Sequence, residues 1–312
     1  MNLDVITVGE AMVLFAAQQA GPLDAVASFA RSSAGAELNV AIGLARLGLR
    51  VGYLSRLGDD SFGRALAAAL DREGVDRSQV GIDSAHPTGF MLKSRSDDGS
   101  DPRIEYFRRG SAASRMGPAD HPRAYCAAAR HLHLTGIFVA VSATTRDLVF
   151  SLAHQARAAG RSLSFDPNLR PGLWPSQAEM VRCLNQLAAC SDWVLPGLDE
   201  GRLLTGRDSP EAIADFYLDR GARCVVVKLG PAGAYYASAT ERGHAAGRQV
   251  DRVVDTVGAG DGFAVGVVSA LLEGLSLAAA AARGNTIGAR VVQFPGDCDG
   301  LPTCAELAAL GP

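Results

Sequence analysis

Short apolar runs of the kind that form buried strands alternate along this chain with amphipathic stretches of helical period. Residues 5–9, 51–55, 132–136, 162–166, 193–196 and 224–229 read as strands; 37–47, 61–73, 143–159, 177–189 and 199–205 read as the helices between them. This alternation predicts an α/β fold with a central, mostly parallel sheet flanked by helices on both faces. In open sheets of this kind ligands sit beyond the carboxyl ends of the strands. Asp166, Pro196 and Gly230 all lie at expected strand ends, which makes them site candidates on position alone. A chain of 312 residues, 48% of them hydrophobic, can bury one large core, so 1–312 is expected to form a single α/β domain.

Two segments break the rhythm. Residues 12–31 and 87–109 are short alternating runs separated by turn residues, Gly21-Pro22 in the first and Asp97-Asp98-Gly99 in the second, with no helices of their own. They are expected to pair as a small antiparallel sheet standing off the main domain, in the position of a lid; a pair of edge hairpins is the plainer alternative.

Charge and cysteine usage exclude several functions. The net charge is −3 and no basic block occurs, so nucleic acid has no electrostatic footprint to bind. No apolar run reaches membrane-spanning length, and no signal-peptide pattern opens the chain. The six cysteines (126, 183, 190, 224, 298 and 304) form no CxxC pair and no zinc spacing, which predicts free thiols in a reducing cytoplasm. His131 and His133 alternate on an expected strand and point to one side, more as a structural pair than as metal ligands. Among 30 basic residues only Lys93 and Lys228 are lysines.

The chemistry concentrates in Asp255-Thr256-Val257-Gly258-Ala259-Gly260-Asp261, which runs into the apolar segment 262–268. Small residues opening a helix let backbone N–H groups converge on an anion, and a helix N-terminus supplies unsatisfied donors with partial positive charge. Asp261 would repel that anion. The pairing makes sense if the acid accepts a proton from a hydroxyl while the loop steadies developing phosphate charge, as a small-molecule kinase requires. A helix cap after a glycine turn is the plainer reading. The other common phosphate loops are missing: no Gly-Lys dipeptide occurs, and the first strand–helix turn reads Val8-Gly9-Glu10-Ala11, without the dinucleotide fingerprint.

The stretch 255–261 resembles the second signature of the ribokinase-like (PfkB-type) carbohydrate kinases. Gly35-Ala36-Glu37-Leu38-Asn39-Val40-Ala41, followed by Leu44-Ala45-Arg46-Leu47-Gly48 and Leu57-Gly58-Asp59-Asp60-Ser61-Phe62-Gly63, resembles the first. The resemblance covers nearly the whole chain and implies a ribokinase-like fold with a small β-sheet lid, and a reaction using ATP and Mg²⁺. Many relatives also bind a monovalent cation such as K⁺ near the loop equivalent to 258–261. By the same resemblance Asp261 is the general base, and the backbone of Gly258, Ala259 and Gly260 is the anion hole. Gly35 and Asn39 hold the sugar. Thr256 belongs to the same signature, and Lys228, Gly230 and Gly233 match the loop around the nucleotide phosphates. Asn168 is a further nucleotide-side candidate, and Asn285 falls where the family lines the adenine pocket. Glu200 is the acid of the family's Asn-x-x-Glu element, which organises Mg²⁺ through water; the Asn position of that element is Gly197 here.

The middle of the chain narrows the substrate. Tyr106-Phe107-Arg108-Arg109-Gly110-Ser111, Gly9-Glu10-Ala11-Met12 and Asp166-Pro167-Asn168-Leu169-Arg170 resemble segments of the 2-keto-3-deoxygluconate kinases. A sugar acid presents a carboxylate that a planar guanidinium can hold with two hydrogen bonds, which a neutral ketose does not need. Arg108 and Arg170 are the candidates, with Arg170 equally placed to grip ATP phosphates, and Tyr106 would hydrogen-bond the sugar. Asp297, in Pro295-Gly296-Asp297, is either a contact near the acceptor or a solvated turn acid. A tyrosine expected soon after Thr88-Gly89 is Met91, a departure that bears on the exact sugar. The expected partners are thus a sugar or sugar acid and ATP, with a homo-oligomer formed through the lid's exposed edges. The alternatives are a fructokinase or other sugar kinase, a catalytically silent sugar-binding protein, and a nicotinamide enzyme, the last lacking its glycine fingerprint.

Overall fold

The computed structural model describes residues 3–95 and 102–311. Among these residues the alternating pattern builds a nine-stranded sheet. From edge to edge its strands are Arg242–Ala246, Gly233–Ser238, Cys224–Lys228, Trp193–Val194, Ser162–Asp166, His131–Thr135, Val5–Val8, Val51–Gly58 and Val80–Asp83. The first two fold back antiparallel at one edge, and all other neighbours pair parallel. Parallel strands covered on both faces read as unbroken apolar runs. Val225, Val226 and Val227 have no exposed surface, and each such side chain contributes about 1.5–3 kcal/mol on burial. Helices Gln177–Ala189 and Ser61–Arg72 begin at the expected residues. The edge strands Val80–Asp83 and Arg242–Ala246 carry mostly exposed or half-buried residues, so no apolar run announces them.

The chain enters the sheet at its middle. Val5–Val8 is followed on one side by Val51–Gly58, and on the other by His131–Thr135. The strand order therefore reverses between Val5–Val8 and His131–Thr135. In open α/β sheets the crevice outside the carboxyl ends at such a reversal is where ligands bind. Helices Ala36–Arg46 and Ala259–Leu272 pack against each other beside it. In the second of these, residues 261–270 are all buried, which matches the unbroken small and apolar sequence after Asp261.

A second, four-stranded sheet has the order Phe29–Ala34, Met12–Ala20, Phe90–Arg95 and Ile104–Phe107. Its outer pairs are antiparallel hairpins, whereas the central pair, Met12–Ala20 with Phe90–Arg95, is parallel. This corrects the all-antiparallel expectation. Met12–Ala20 follows Val5–Val8 and Phe90–Arg95 follows Val80–Asp83, two strands that run in the same direction in the main sheet. Their continuations leave side by side with that direction kept. The expected turn Asp97-Asp98-Gly99 lies outside the described residues. Met12, Leu14, Ala34 and Met91 form the small sheet's own core.

His131 and His133 share one partner: Ser164 Oγ lies 2.7 Å from His131 Nε2 and 2.8 Å from His133 Nδ1. Burial holds both imidazoles neutral, pulling His133 down to about 3 and His131 well below the ordinary range. Through that hydroxyl they join strands His131–Thr135 and Ser162–Asp166. Among the described residues all six cysteines are free, and no helix is long and apolar enough to cross a membrane.

Candidate active site

A cavity of about 460 Å³ opens at the reversal of strand order. Its floor comes from residues that follow parallel strands: Glu10 after Val5–Val8, Ile137 after His131–Thr135, Asn168 and Arg170 after Ser162–Asp166, Glu200 after Trp193–Val194, and Lys228 at the end of its strand. Its sides are the heads of helices Ala36–Arg46 and Ala259–Leu272, with Gly35 and Asn39 on one, and Thr256, Gly258, Gly260 and Asp261 on the other. Met12, Met91, Tyr106 and Arg108 close it from the small sheet, and Asp297 lies at its edge.

Asp261 is 7% exposed, in the first turn of its helix. Asn39 Nδ2 donates to its Oδ2 at 2.7 Å and Asn168 Nδ2 to its Oδ1 at 3.3 Å. The thiol of Cys298 donates to Asn39 Oδ1 at 3.0 Å, which turns the Asn39 amide so that its N–H₂ end faces Asp261. Asn168 is held at φ 39°, the one positive value outside glycine among the described residues. Such left-handed geometry costs a non-glycine residue of order 1–3 kcal/mol and persists only where the surroundings impose it. Burial is the main influence on Asp261 and pushes its pKa up to about 8. The Asn39 hydrogen bond opposes this, the neighbouring Asp166 and Asp297 carboxylates add to it, and Lys228 offsets part. A carboxyl poised near neutral pH is matched to general-base work.

The loop ahead of Asp261 depends on one backbone conformation. Gly258 caps the helix at φ 83°, and a Cβ there would stand 2.6 Å from the Asp297 carbonyl oxygen. Only glycine meets both demands. The first helical bond of this turn runs from Gly262 N–H to Gly258 O at 2.8 Å. The N–H groups of Gly260 and Asp261 therefore precede the ladder, as donors for an anion. Lys228 Nζ stands beside them, 3.6 Å from the place a Cβ on Gly260 would take.

Lys228 is anchored by Asp166, donating to its Oδ1 and Oδ2 at 2.8 and 2.7 Å. Burial works against the ammonium, but Asp166 and Glu200 outweigh it, and the net effect raises its pKa. Burial pushes Asp166 up to about 6 against the pull of Lys228. Glu200 accepts from Leu169 N–H through Oε1 and from Gly197 N–H through Oε2, both at 2.7 Å. The missing Asn side chain at 197 thus leaves a backbone donor that seats the acid. Two accepted bonds leave a carboxylate further acceptor capacity.

On the opposite wall Arg108 is buried. Its Nε donates to Glu10 Oε2 at 2.6 Å, its Nη2 lies 2.5 Å from the same oxygen, and Ser111 Oγ donates to Glu10 Oε1. Arg170 differs: it is exposed, and its Nη1 donates to the Leu169 carbonyl at 2.8 Å.

Four expected positions lie outside the cavity lining. Ala259 contributes only helix backbone. Gly230 opens a short turn after Lys228. Gly233, at φ 105°, packs its backbone directly on Ala245 O and Gly247 N, so a side chain there would break the strand pairing. Asn285 Nδ2 donates to Ala245 O and Ala246 O at 3.0 Å each, which pins the edge strand to its helix. Sequence reasoning missed Cys298 behind Asn39, Glu10 behind Arg108, and Glu37, whose buried carboxyl accepts from Thr135 Oγ1. It also missed the ion pairs of Lys93 with Asp255 and Asp297. The scarcity of lysine was the one signal for the last; Glu10 and Glu37 line the cavity and stand inside the motifs at 9–12 and 35–41, whereas Cys298 lies behind Asn39 and has no pattern of its own.

The profile described as pfkB family carbohydrate kinase matches residues 2–304. A 2-dehydro-3-deoxygluconokinase of Bacillus subtilis (strain 168) is 52% identical over 310 residues, covering 99% of this chain and 95% of that protein. Among solved structures, a PfkB protein from Polaromonas sp. JS666 superposes with a TM-score of 0.92 at 54% identity, covering 98% of this chain and 99% of that one. A ribokinase II candidate of E. coli, in complex with ATP and Mg²⁺, superposes with a TM-score of 0.91 at 26% identity, covering 99% of this chain and 98% of that one.

Proposed function

The chain belongs to the pfkB family of carbohydrate kinases, and from that premise we propose that it phosphorylates the 6-hydroxyl of 2-keto-3-deoxygluconate (2-dehydro-3-deoxygluconate) with ATP. One observation carries this reading. A single cavity brings together a carboxyl tuned to accept a proton, a helix N-terminus, an ammonium and two guanidinium groups.

Asp261 takes the proton of the acceptor hydroxyl as its oxygen forms a bond to the γ-phosphorus. The bond from that phosphorus to the bridging oxygen of ADP breaks, and ADP leaves. Asn39 and Asn168 hold the two Asp261 oxygens in place, so little reorganisation is needed at the moment of transfer. The N–H groups around Gly258 to Gly260 and the Lys228 ammonium receive the charge on the transferring group. Mg²⁺ bound with ATP supplies further charge neutralisation. Glu200 is the residue that would hold it through water, since its oxygens each spend one acceptance on backbone N–H. One or two carboxylates together with substrate phosphates is the usual protein share of such a site. Gly230, Gly233, Thr256 and Asn285 belong to the nucleotide side of this reading, in part as backbone scaffold.

The substrate carboxylate fits between Arg108 and Arg170, both of which line the cavity. Glu10 engages Nε and Nη2 of Arg108, leaving Nη1 for an anion, and Arg170 brings a charge that no carboxylate among the described residues offsets. Tyr106 and Gly35 complete the sugar pocket, with Asp297 at the acceptor end. The exposed rings of Tyr106 and Phe107 on the small sheet support assembly into a homo-oligomer.

ATP turnover measured side by side with 2-keto-3-deoxygluconate, fructose and ribose tests the substrate. The expected order places the sugar acid first by kcat/KM, and Arg170→Ala narrows its lead. A preference for fructose or ribose refutes the sugar-acid reading and leaves the kinase standing.

A further inference from the structure

Lys93 projects from strand Phe90–Arg95 of the small sheet, and its side chain is 3% exposed. Its Nζ donates to Asp255 Oδ2 at 2.5 Å, to the Pro295 carbonyl at 3.1 Å and to Asp297 Oδ1 at 3.1 Å. Asp255 opens the loop that ends in Asp261, and its Oδ1 accepts from Val257 N–H at 3.0 Å. Asp297 packs its backbone against Gly258. The ammonium thus ties three points around the anion-hole loop: its first residue, the segment that abuts its glycine, and the small sheet.

The family resemblance implies a monovalent cation near this loop, and the residues present do not fit one. Asp255 and Asp297, the acids that flank the loop, already converge with a carbonyl on a cation that the chain carries itself. A second cation held by the same oxygens would face the ammonium at short range in a water-poor interior, where like charges repel strongly. We infer that Lys93 is a positioning residue that takes the place of a monovalent ion, holding the anion-hole loop in register and making phosphoryl transfer independent of K⁺. Because the same lysine belongs to the small sheet, the loop is organised only while that sheet is docked on it.

The inference deepens the kinase reading and rests on the loop's role in it, not on which sugar is used. The assay therefore employs ATP, Mg²⁺ and whichever sugar the enzyme turns over best, so a wrong substrate assignment appears as a different best sugar and leaves the cation response readable. In a tetramethylammonium buffer free of K⁺, Na⁺ and NH₄⁺, the wild-type enzyme is expected to be fully active, and exchange to K⁺ at equal ionic strength leaves kcat unchanged. Saturable activation of the wild type by K⁺ overturns the inference. Lys93→Ala in the same buffer is expected to lose about 10–100-fold in kcat, the usual effect of removing a supporting partner behind a catalytic group. Added NH₄⁺ or K⁺ restores it saturably, which a merely structural loss would not allow. A folded Lys93→Ala enzyme that keeps wild-type kcat without cations, or that neither ion restores, also overturns it. Should that variant not fold, the wild-type response decides alone.

Discussion

The chain's two lysines meet the 255–261 loop at its two ends, Lys228 beside Gly260 and Lys93 at Asp255, and the contrast between them separates two uses of a buried charge. Lys228 sits at the end of a main-sheet strand with its side chain 17% exposed, lines the cavity, and is held by one carboxylate. Lys93 comes from the small sheet, is 3% exposed, lies outside the cavity lining, and is held by two carboxylates and a carbonyl. The first is open to a ligand in the cavity; the second is not, and can only shape the loop. The other 28 of the 30 basic residues are arginines, so a lysine at both places is informative. An ammonium gathers several oxygens around one compact nitrogen, whereas a guanidinium spreads its donors in a plane.

Both lysines bear on the loop that ends in Asp261, and removal of that carboxyl has the largest expected effect. Asp261→Asn keeps the shape and the Asn39 contact region while abolishing the base; steady-state assays should show kcat down by about 10²–10⁴-fold, with sugar and ATP binding by calorimetry largely kept. Near-wild-type turnover would dismiss the base. Next comes Lys228→Met, expected to cost about 10²–10³-fold in kcat and to raise the KM for ATP. The split between the two lysines is the sharper point. Lys93→Ala, with its smaller loss, should leave the KM for ATP near the wild-type value. If both variants raise it equally, the distinction between touching a phosphate and shaping its loop collapses.

Much of the main sheet was legible because burial on both faces writes unbroken apolar runs, and strand Ser162–Asp166 and helix Gln177–Ala189 begin and end where the pattern predicts. The small sheet was legible as two hairpins but not in its pairing, since local alternation says nothing about the direction of a neighbour more than seventy residues away. At the candidate site, the residues of the loop and its rim that line the cavity stand in motifs of the sequence. Their supports do not. Cys298 reaches Asn39 across 259 residues, and Lys93 reaches Asp297 across 204. Contacts of that separation follow no period, and only the packed fold brings them together. Asn285 and Gly233 show the converse. The family resemblance assigns them to the nucleotide side, while their hydrogen bonds and close packing show work in holding the edge strand Arg242–Ala246.

The pH profile of kcat/KM tests the base assignment most directly. A base must be ionised to accept a proton, and burial has raised the Asp261 pKa to about 8, so activity should fall as pH drops through that value. The account predicts a wild-type profile rising toward a plateau above about 8, and an Asp261→Asn profile without that limb on its small residual rate. A wild-type profile flat from about 6 to 9, or the same limb persisting in Asp261→Asn, would contradict it.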